Sequence, residues 1–183
     1  HGCLVGSEMC IRDSNSVRAR PHQLEYIRDH LDPDVIGLQE TKVHDDEFPI
    51  ELVNEIGYHC EFWGQKGHYG VALLSKKKPL EISKGFLKDT DEDQKRFIQG
   101  RYKFKNSDIF ILNGYFPQGE NRNHETKFPK KVKFYKDLKS HIIKLQKSSS
   151  NIIVMGDFNV APSGKDIGIC LLYTSPSPRD NRV

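Results

Sequence analysis

The sequence has few cysteines and no long apolar run. Of its four cysteines, three lie near the chain ends and only Cys60 lies between them. This pattern excludes a disulfide framework and a cysteine-rich zinc site, so we expect a reducing, cytoplasmic compartment. No stretch approaches the roughly 20 apolar residues that a membrane-spanning helix needs, so we expect no membrane partner.

A strong excess of one charge is also lacking. The chain has 28 lysines and arginines against 25 acidic residues, which gives a formal net charge of +3. This mildly basic balance permits a polyanionic partner but does not demand one. A lysine-rich stretch over residues 127–139 is interpreted as a solvated helix face, with contact to DNA as the alternative.

The two chain ends have an origin unrelated to the rest. Residues 4–14, LVGSEMCIRDS, can be encoded by an oligonucleotide whose reverse complement, in another frame, encodes CLLYTSPSPR, which is residues 170–179. The shared string looks like translated sequencing-library adapter. We therefore predict that residues 1–14 and 170–183 are non-native, adapter-like segments, and we confine the fold prediction to residues 15–169.

Helical and strand patterns alternate along residues 15–169. Apolar residues at helical spacing predict three helices, within residues 21–31, 44–58 and 128–146. Either Asp45 or Asp46 is expected to cap the second helix. Apolar runs predict seven strands, within residues 34–38, 58–63, 71–74, 80–86, 96–104, 109–115 and 151–159, and the turn KNSD predicts a hairpin between the fifth and the sixth. The combination predicts an α/β layered fold with mixed sheets.

Unexpected polar groups lie at the ends of three predicted strands. They are Glu40, Asn113, Tyr115, Asp157 and Asn159. A carboxylate at the end of a buried strand costs several kcal/mol to desolvate unless it has a partner. If the three ends converge, they form an oxygen-rich cluster that suits a hard cation such as Mg²⁺ far better than zinc. Each residue taken alone is more simply a solvated loop residue, whereas the set together favours a site.

Two further features are interpreted as structural. The glycine-rich stretch GQKGHYGVAL, residues 64–73, lacks the Gly-Lys-Ser/Thr of a phosphate-binding loop and is interpreted as a tight hairpin. Five histidines show no metal-ligand spacing and are interpreted as surface residues: His22, His44, His59, His124 and His141.

Several motifs together resemble one known family. In chain order they are RARPHQLEYI, PDVIGLQETKVHDDEFP, GQKGHYGVALLSK, NGYFPQGENR and MGDFNVAP. They resemble the bacterial exonuclease III family of apurinic/apyrimidinic endonucleases, within the endonuclease/exonuclease/phosphatase superfamily. The resemblance implies a four-layer α/β sandwich, of which residues 15–169 would be the N-terminal part. It also implies a DNA-repair hydrolase, dependent on Mg²⁺ or Mn²⁺, that acts as a monomer on duplex DNA.

The family's activities and site residues are also carried over by this resemblance. Family members cut 5′ to abasic sites, degrade DNA from 3′ ends and remove 3′-phosphates. Glu40 matches the metal-binding glutamate, and Tyr115, Asp157 and Asn159 match catalytic residues. The positions that match contacts to the DNA backbone are Arg96, Gln118 and Lys127.

Two departures and two alternatives accompany this resemblance. The family's first-strand asparagine falls on Asp13, and its second half, with a catalytic Asp and an Asp–His pair, has no counterpart here. We therefore expect this polypeptide to be inactive as written. The alternatives are a superfamily phosphodiesterase or phosphatase that acts on a lipid or inositol phosphate, and a non-catalytic DNA-binding module.

Overall fold

The computed structural model describes residues 21–90, 92–120, 122–149 and 151–160. The predicted adapter-like segments, residues 1–14 and 170–183, lie outside these ranges. The described elements are helices α1 (Pro21–Leu31), α2 (Ile50–Glu55) and α3 (Lys127–Leu145), and strands β1 (Val35–Gln39), β2 (His59–Trp63), β3 (Val71–Ser75), β4 (Glu81–Lys84), β5 (Phe97–Phe104), β6 (Ser107–Tyr115) and β7 (Ile152–Asp157).

The strands form two sheets. The first has the order β1-β3-β2, and both of its pairings are antiparallel. The second has the order β4-β5-β6-β7, in which β7 runs parallel to β6 and the other pairings are antiparallel. The hairpin predicted from KNSD joins β5 to β6, with Phe104 paired to Ser107.

Side-chain alternation on the central strand β3 separates the layers. Successive strand residues point to opposite faces of a sheet. Ala72 and Leu74 pack with the apolar residues of α1 and α2, whereas Val71 and Leu73 pack toward the second sheet. All four side chains are fully buried, so the first sheet is covered on both faces.

Helix α3 covers the outer face of the second sheet. Phe134 and Leu138 of α3 pack with Phe97 of β5 and Leu112 of β6. The resulting order of layers is helices, sheet, sheet, helix. The prediction of an α/β layered fold, as part of a four-layer sandwich, is confirmed.

The two sheets approach closely at Gly37 of β1. A Cβ at this position would lie 2.9 Å from the side chain of Asn113. Asn113 is fully buried, and its Nδ2 donates to the carbonyl oxygens of Leu38 and Ala72, both at 2.9 Å. Its Oδ1 accepts from Gln39 Nε2 at 2.6 Å. Asn113 therefore ties the two sheets together and does not add an oxygen ligand at the strand ends.

The second helix is shorter than predicted. A 3₁₀ turn, Asp45–Glu47, precedes α2, and no side chain caps the N terminus of α2. Pro49 separates the two because it lacks an N–H and restricts the residue before it. The capping prediction was wrong, since Asp45 Oδ1 accepts instead from the backbone N–H of Gly64 at 2.6 Å. This carboxylate anchors the chain after β2.

His141 is not the surface residue that we expected. Its ring packs edge-on against Phe86 and Phe97, and its Nε2 lies 2.6 Å from Gln99 Oε1. Burial lowers the pKa of the imidazole, and Lys144 lowers it further. His141 therefore helps to dock α3 on the second sheet.

Candidate active site

Three strand ends meet at one edge of the sandwich. Because β6 and β7 are parallel, their last residues, Tyr115 and Asp157, are paired neighbours at the same edge. Strand β1 of the other sheet ends immediately before Glu40, whose φ of 55° lies in the left-handed region. Few residues other than glycine adopt this conformation without local support. The structure therefore brings Glu40, Tyr115 and Asp157 to a common edge.

The carboxylate of Glu40 has two partners. The Tyr115 hydroxyl donates to its Oε1, and the Lys42 ammonium lies 3.1 Å from its Oε2. The side chains of Glu40 and Lys42 are only 22% and 23% exposed. Burial and the hydrogen bond to Glu40 raise the pKa of Tyr115 well above its usual value. The phenol is thus a hydrogen-bond donor at neutral pH.

Arg96 contacts the ring and the backbone of Tyr115. Its Cζ lies 4.5 Å from the centroid of the Tyr115 ring and 4.3 Å from that of Tyr69. Its Nη1 donates to the Tyr115 carbonyl oxygen at 3.0 Å, and its Nε donates to Gln94 Oε1 at 2.7 Å. Gln94 Nε2 in turn lies 2.8 Å from the Tyr69 hydroxyl. We call Tyr69, Gln94, Arg96 and Tyr115 the Arg96 cluster.

Asp157 is oriented by the residue two positions later. Its Oδ1 accepts from the backbone N–H of Asn159 at 3.0 Å, and its Oδ2 accepts from Asn159 Nδ2 at 3.1 Å. The same Nδ2 donates to the carbonyl oxygen of Phe116 at 2.8 Å. Asn159 adopts a φ of 50°, which asparagine tolerates better than most residues. Asn159 therefore holds the carboxylate of Asp157 in place.

Close approach between β6 and β7 requires glycine at position 156. Gly156 has a φ of +134°, and a Cβ there would lie 1.9 Å from the carbonyl oxygen of Gly114. That neighbour is a backbone atom of a paired strand, so it cannot move aside as a flexible side chain could. Gly156 directly precedes Asp157, so this close approach helps to fix where the carboxylate lies.

Two of the residues expected to contact DNA are Gln118, in the segment between β6 and α3, and Lys127, the first residue of α3. The Lys131 ammonium bridges the carbonyl oxygens of Gln118, at 3.1 Å, and Asn159, at 2.8 Å. Gln118 itself is exposed. Lys127 is also exposed, and its ammonium pairs with Glu120. Lys131 thus links this segment directly to the chain that follows Asp157.

Oxygen donors of this kind suit a hard divalent cation, and Glu40 fits as one ligand. Within the described ranges, however, no group of three or more His, Cys, Asp or Glu residues could hold a metal ion. Both oxygens of Glu40 are also engaged, by Tyr115 and Lys42. We therefore assign only Glu40 to the cation among the described residues.

Three residues of the site escaped the sequence prediction. Lys42 follows Glu40 by two positions, and the adjacent opposite charges after a buried strand were the available signal. Tyr69 and Gln94 come from two different loops, and no spacing rule connects either of them with Arg96. Their association depends on how the two sheets pack.

Comparison with known proteins identifies a family match and curated relatives. Residues 5–171 match the family described as the Endonuclease/Exonuclease/phosphatase family. The chain is 53% identical over 155 residues to exodeoxyribonuclease III of Haemophilus influenzae. The matched region is 85% of this chain and 58% of that protein. It is 29% identical over 147 residues to the exodeoxyribonuclease of Bacillus subtilis, covering 79% and 54%. The chain thus spans about half the length of the curated relatives that it matches.

Solved structures show the same architecture. An AP endonuclease from Archaeoglobus fulgidus superposes with a TM-score of 0.71 at 33% identity, over 85% of this chain and 58% of that one. A 3′ phosphatase from Neisseria, bound to a product DNA hairpin, superposes with a TM-score of 0.75 at 28% identity, over 83% and 57%.

Proposed function

We propose that this chain, which belongs to the Endonuclease/Exonuclease/phosphatase family, is the N-terminal part of a DNA-repair nuclease. The observation that carries the proposal is the hydrogen bond from Tyr115 to Glu40. It lies at the strand-end edge that also holds Asp157. A simple DNA-binding module has no need to desolvate a carboxylate at this edge, because that costs free energy without adding to the attraction for phosphates.

Three activities are proposed for the whole protein. The relatives include an exodeoxyribonuclease III, an AP endonuclease and a 3′ phosphatase. Removal of nucleotides from a 3′ end, incision 5′ to an abasic site and removal of a 3′-phosphate all break the bond between phosphorus and a 3′ oxygen. One site can therefore perform all three, and the position of the phosphate in the DNA decides which occurs.

The proposed mechanism assigns a role to each residue at the strand ends. Asp157, held by Asn159, takes a proton from the attacking water or gives one to the leaving 3′ oxygen. Tyr115 turns its single phenolic hydrogen from Glu40 to the phosphate oxygen that gains charge, an interaction worth about 3 kcal/mol at such sites. Glu40 would hold a divalent cation, Mg²⁺ or Mn²⁺, which when bound supplies positive charge to the phosphoryl group.

Duplex DNA is the proposed partner of a monomeric enzyme that acts in the cytoplasm. Gln118, between β6 and α3, and Lys127, the first residue of α3, are both exposed, and we assign them to the DNA backbone. Arg96, also expected from the sequence to contact the backbone, is considered separately below. Among the described helices, none is long and apolar enough to cross a membrane.

This chain alone is proposed to be inactive, and residues 1–14 and 170–183 to be foreign to the natural protein. Activity is therefore tested in a hybrid, called the completed enzyme. In it, the 155 residues matched to the Haemophilus influenzae relative replace the corresponding part of that protein. Cleavage of an abasic duplex by the 183-residue chain itself, at a rate similar to that of the hybrid, would show that the proposed inactivity is wrong.

The substrate class is tested with two phosphate esters in separate reactions. The completed enzyme is incubated with Mg²⁺ and either a duplex that carries one abasic site or a soluble inositol phosphate. We expect incision of the duplex and no release of phosphate from the inositol compound. The opposite preference would favour the phosphodiesterase or phosphatase alternative. Binding to the duplex without incision would favour a non-catalytic module.

A further inference from the structure

The Arg96 side chain contacts four protein groups. Its guanidinium contacts the rings of Tyr69 and Tyr115, and its nitrogens donate to Gln94 and to the Tyr115 carbonyl oxygen. The Tyr115 N–H also donates to the Arg96 carbonyl oxygen at 2.7 Å. Arg96 and Tyr115 are thus joined by two hydrogen bonds and one cation–π contact.

The positively charged guanidinium of Arg96 lies against two tyrosine rings. Among the residues that the structure describes, no carboxylate forms an ion pair with it. Burial lowers the pKa of Arg96, and Tyr115 and Tyr69 act in the opposite direction. A half-buried cation that binds a phosphate needs an open approach for that phosphate. At Arg96, the rings of Tyr69 and Tyr115 occupy part of the approach.

We propose that Arg96 is a positioning residue, which holds the ring of Tyr115 so that its hydroxyl stays at the strand-end edge beside Glu40. The family resemblance implies that Arg96 contacts the DNA backbone. We infer instead that Arg96 acts through Tyr115. The kinetic consequence rests on the proposed nuclease function, whereas the structural consequence does not. The inference deepens that function by naming the group that sets the geometry of the phenol.

Only arginine satisfies this arrangement. Its planar guanidinium can stack on a ring while its Nε and Nη1 donate in two directions, which a lysine ammonium cannot do. Without the guanidinium, Tyr115 keeps its place in β6, but its ring loses the cation–π contact with Arg96. A displacement of about 1 Å at such a group can lower the rate about 100-fold.

The kinetic test uses Arg96→Gln and Arg96→Lys in the completed enzyme, with the abasic duplex as substrate. We expect kcat to fall about 30- to 100-fold in both variants while KM changes less than about 3-fold. The dependence of KM on salt should stay the same. A backbone contact predicts the reverse: a raised KM, a retained kcat and a salt slope smaller by about 0.9. That result would overturn the proposal.

Two further variants keep the test decisive. Arg101→Lys is the matched control, because Arg101 lies on β5 and pairs with Glu81 and Asp108 instead of with a tyrosine; it should leave kcat unchanged. Gln94→Ala removes the acceptor of Arg96 Nε but leaves the guanidinium in place. It should lower kcat in the same direction by a smaller factor, and an unchanged kcat in both Gln94→Ala and Arg96→Gln would contradict the proposal.

A spectroscopic measurement separates this inference from the proposed function. In the 183-residue chain labelled with ¹³C at tyrosine Cζ, the Tyr115 signal is assigned with Tyr115→Phe and compared at neutral pH. Arg96→Gln should shift that signal and broaden it, while Arg101→Lys should not. An unmoved signal overturns the positioning role even if the completed enzyme is active. A moved signal supports the role even if no DNA is cleaved, in which case only the proposed function fails.

Discussion

At the scale of single residues, Tyr115 is the most constrained group of the site. Its ring contacts Arg96, its backbone bonds to Arg96 in both directions, and its hydroxyl donates to Glu40. With the ring fixed in this way, only the hydroxyl hydrogen has to turn from Glu40 when charge develops on a neighbouring phosphate. The hydroxyl of Tyr115, and not its ring, is therefore the group that takes part in the chemistry.

The substitution Tyr115→Phe tests the role of the hydroxyl alone. It keeps the ring against Arg96 but removes the donor, so kcat of the completed enzyme should fall about 100- to 1,000-fold with little change in KM. The matched control is Tyr58→Phe, which removes a 2.8 Å hydrogen bond to the Pro33 carbonyl oxygen far along the chain. It should cost about 1 kcal/mol of stability and leave kcat unchanged. Equal effects of the two variants would mean that Tyr115 acts only on stability.

Residue types at strand ends were enough to select Glu40, Tyr115 and Asp157 from the sequence. They were not enough to place Asn113, which is equally polar and only two positions before Tyr115. Strand alternation points Asn113 and Tyr115 toward the same face, so depth along the strand decides which is a sheet-to-sheet tie and which reaches the edge. That depth depends on the register of two packed sheets, which a single sequence does not contain.

At the scale of elements, the docking of α3 depends on a histidine. Burial holds the pKa of His141 below its usual 6.5. The unfolded chain therefore binds this proton more readily than the folded protein does. The stabilising effect is present above pH 6.5 and is lost as the pH falls through the lower pKa of the folded state.

This linkage predicts a pH-dependent difference between two histidine variants. Urea unfolding of the completed enzyme is compared at pH 7.5 and pH 5, with His141→Gln and with His59→Gln, an exposed histidine, as control. The parent and His59→Gln should lose more stability between the two pH values than His141→Gln does. If the three proteins lose the same amount, the imidazole does not couple acid to the docking of α3.

The junction of β6 and β7 gives a second prediction at this scale. Gly156→Ala would place a Cβ against the Gly114 carbonyl and strain the backbone, so it should lower the free energy of unfolding by about 3 kcal/mol. Gly67→Ala is the control, because Gly67 also has a positive φ, of +96°, but has no atom within 4 Å of a built Cβ. It should cost only about 1 kcal/mol. Equal costs would show that the close approach does not matter.

Element prediction was successful where apolar runs were continuous. The strands came from runs such as VALLS and IIVM, which few alternative folds can bury. The length of helix α2 was overestimated, because the helical spacing of apolar residues continues across Pro49. The α-helical backbone begins only after Pro49. Asp45 was predicted to cap the helix because its actual partner, Gly64, lies beyond α2 and β2 and could not be identified from spacing.

At the scale of the whole molecule, one side of the second sheet is incompletely covered. Ile153 of β7 is 47% exposed, and Phe158 and Val160 just beyond β7 are 37% and 50% exposed. Side chains of this kind are normally buried. The chain spans about half the length of its curated relatives, so in the completed enzyme we expect the remaining portion to cover these residues. The layered architecture itself was predictable, because alternating helices and strands leave few other ways to bury both sheet faces.

The most direct test of the proposed nuclease function is cleavage by the completed enzyme with and without the Glu40 carboxylate. Single-turnover incision of an abasic duplex is measured over a range of Mg²⁺ concentrations for the parent, for Glu40→Gln and for Glu51→Gln, an exposed glutamate of α2. We predict Mg²⁺-dependent incision that Glu40→Gln slows at least about 100-fold and Glu51→Gln leaves unchanged. Incision by Glu40→Gln at the parental rate would contradict the proposed function.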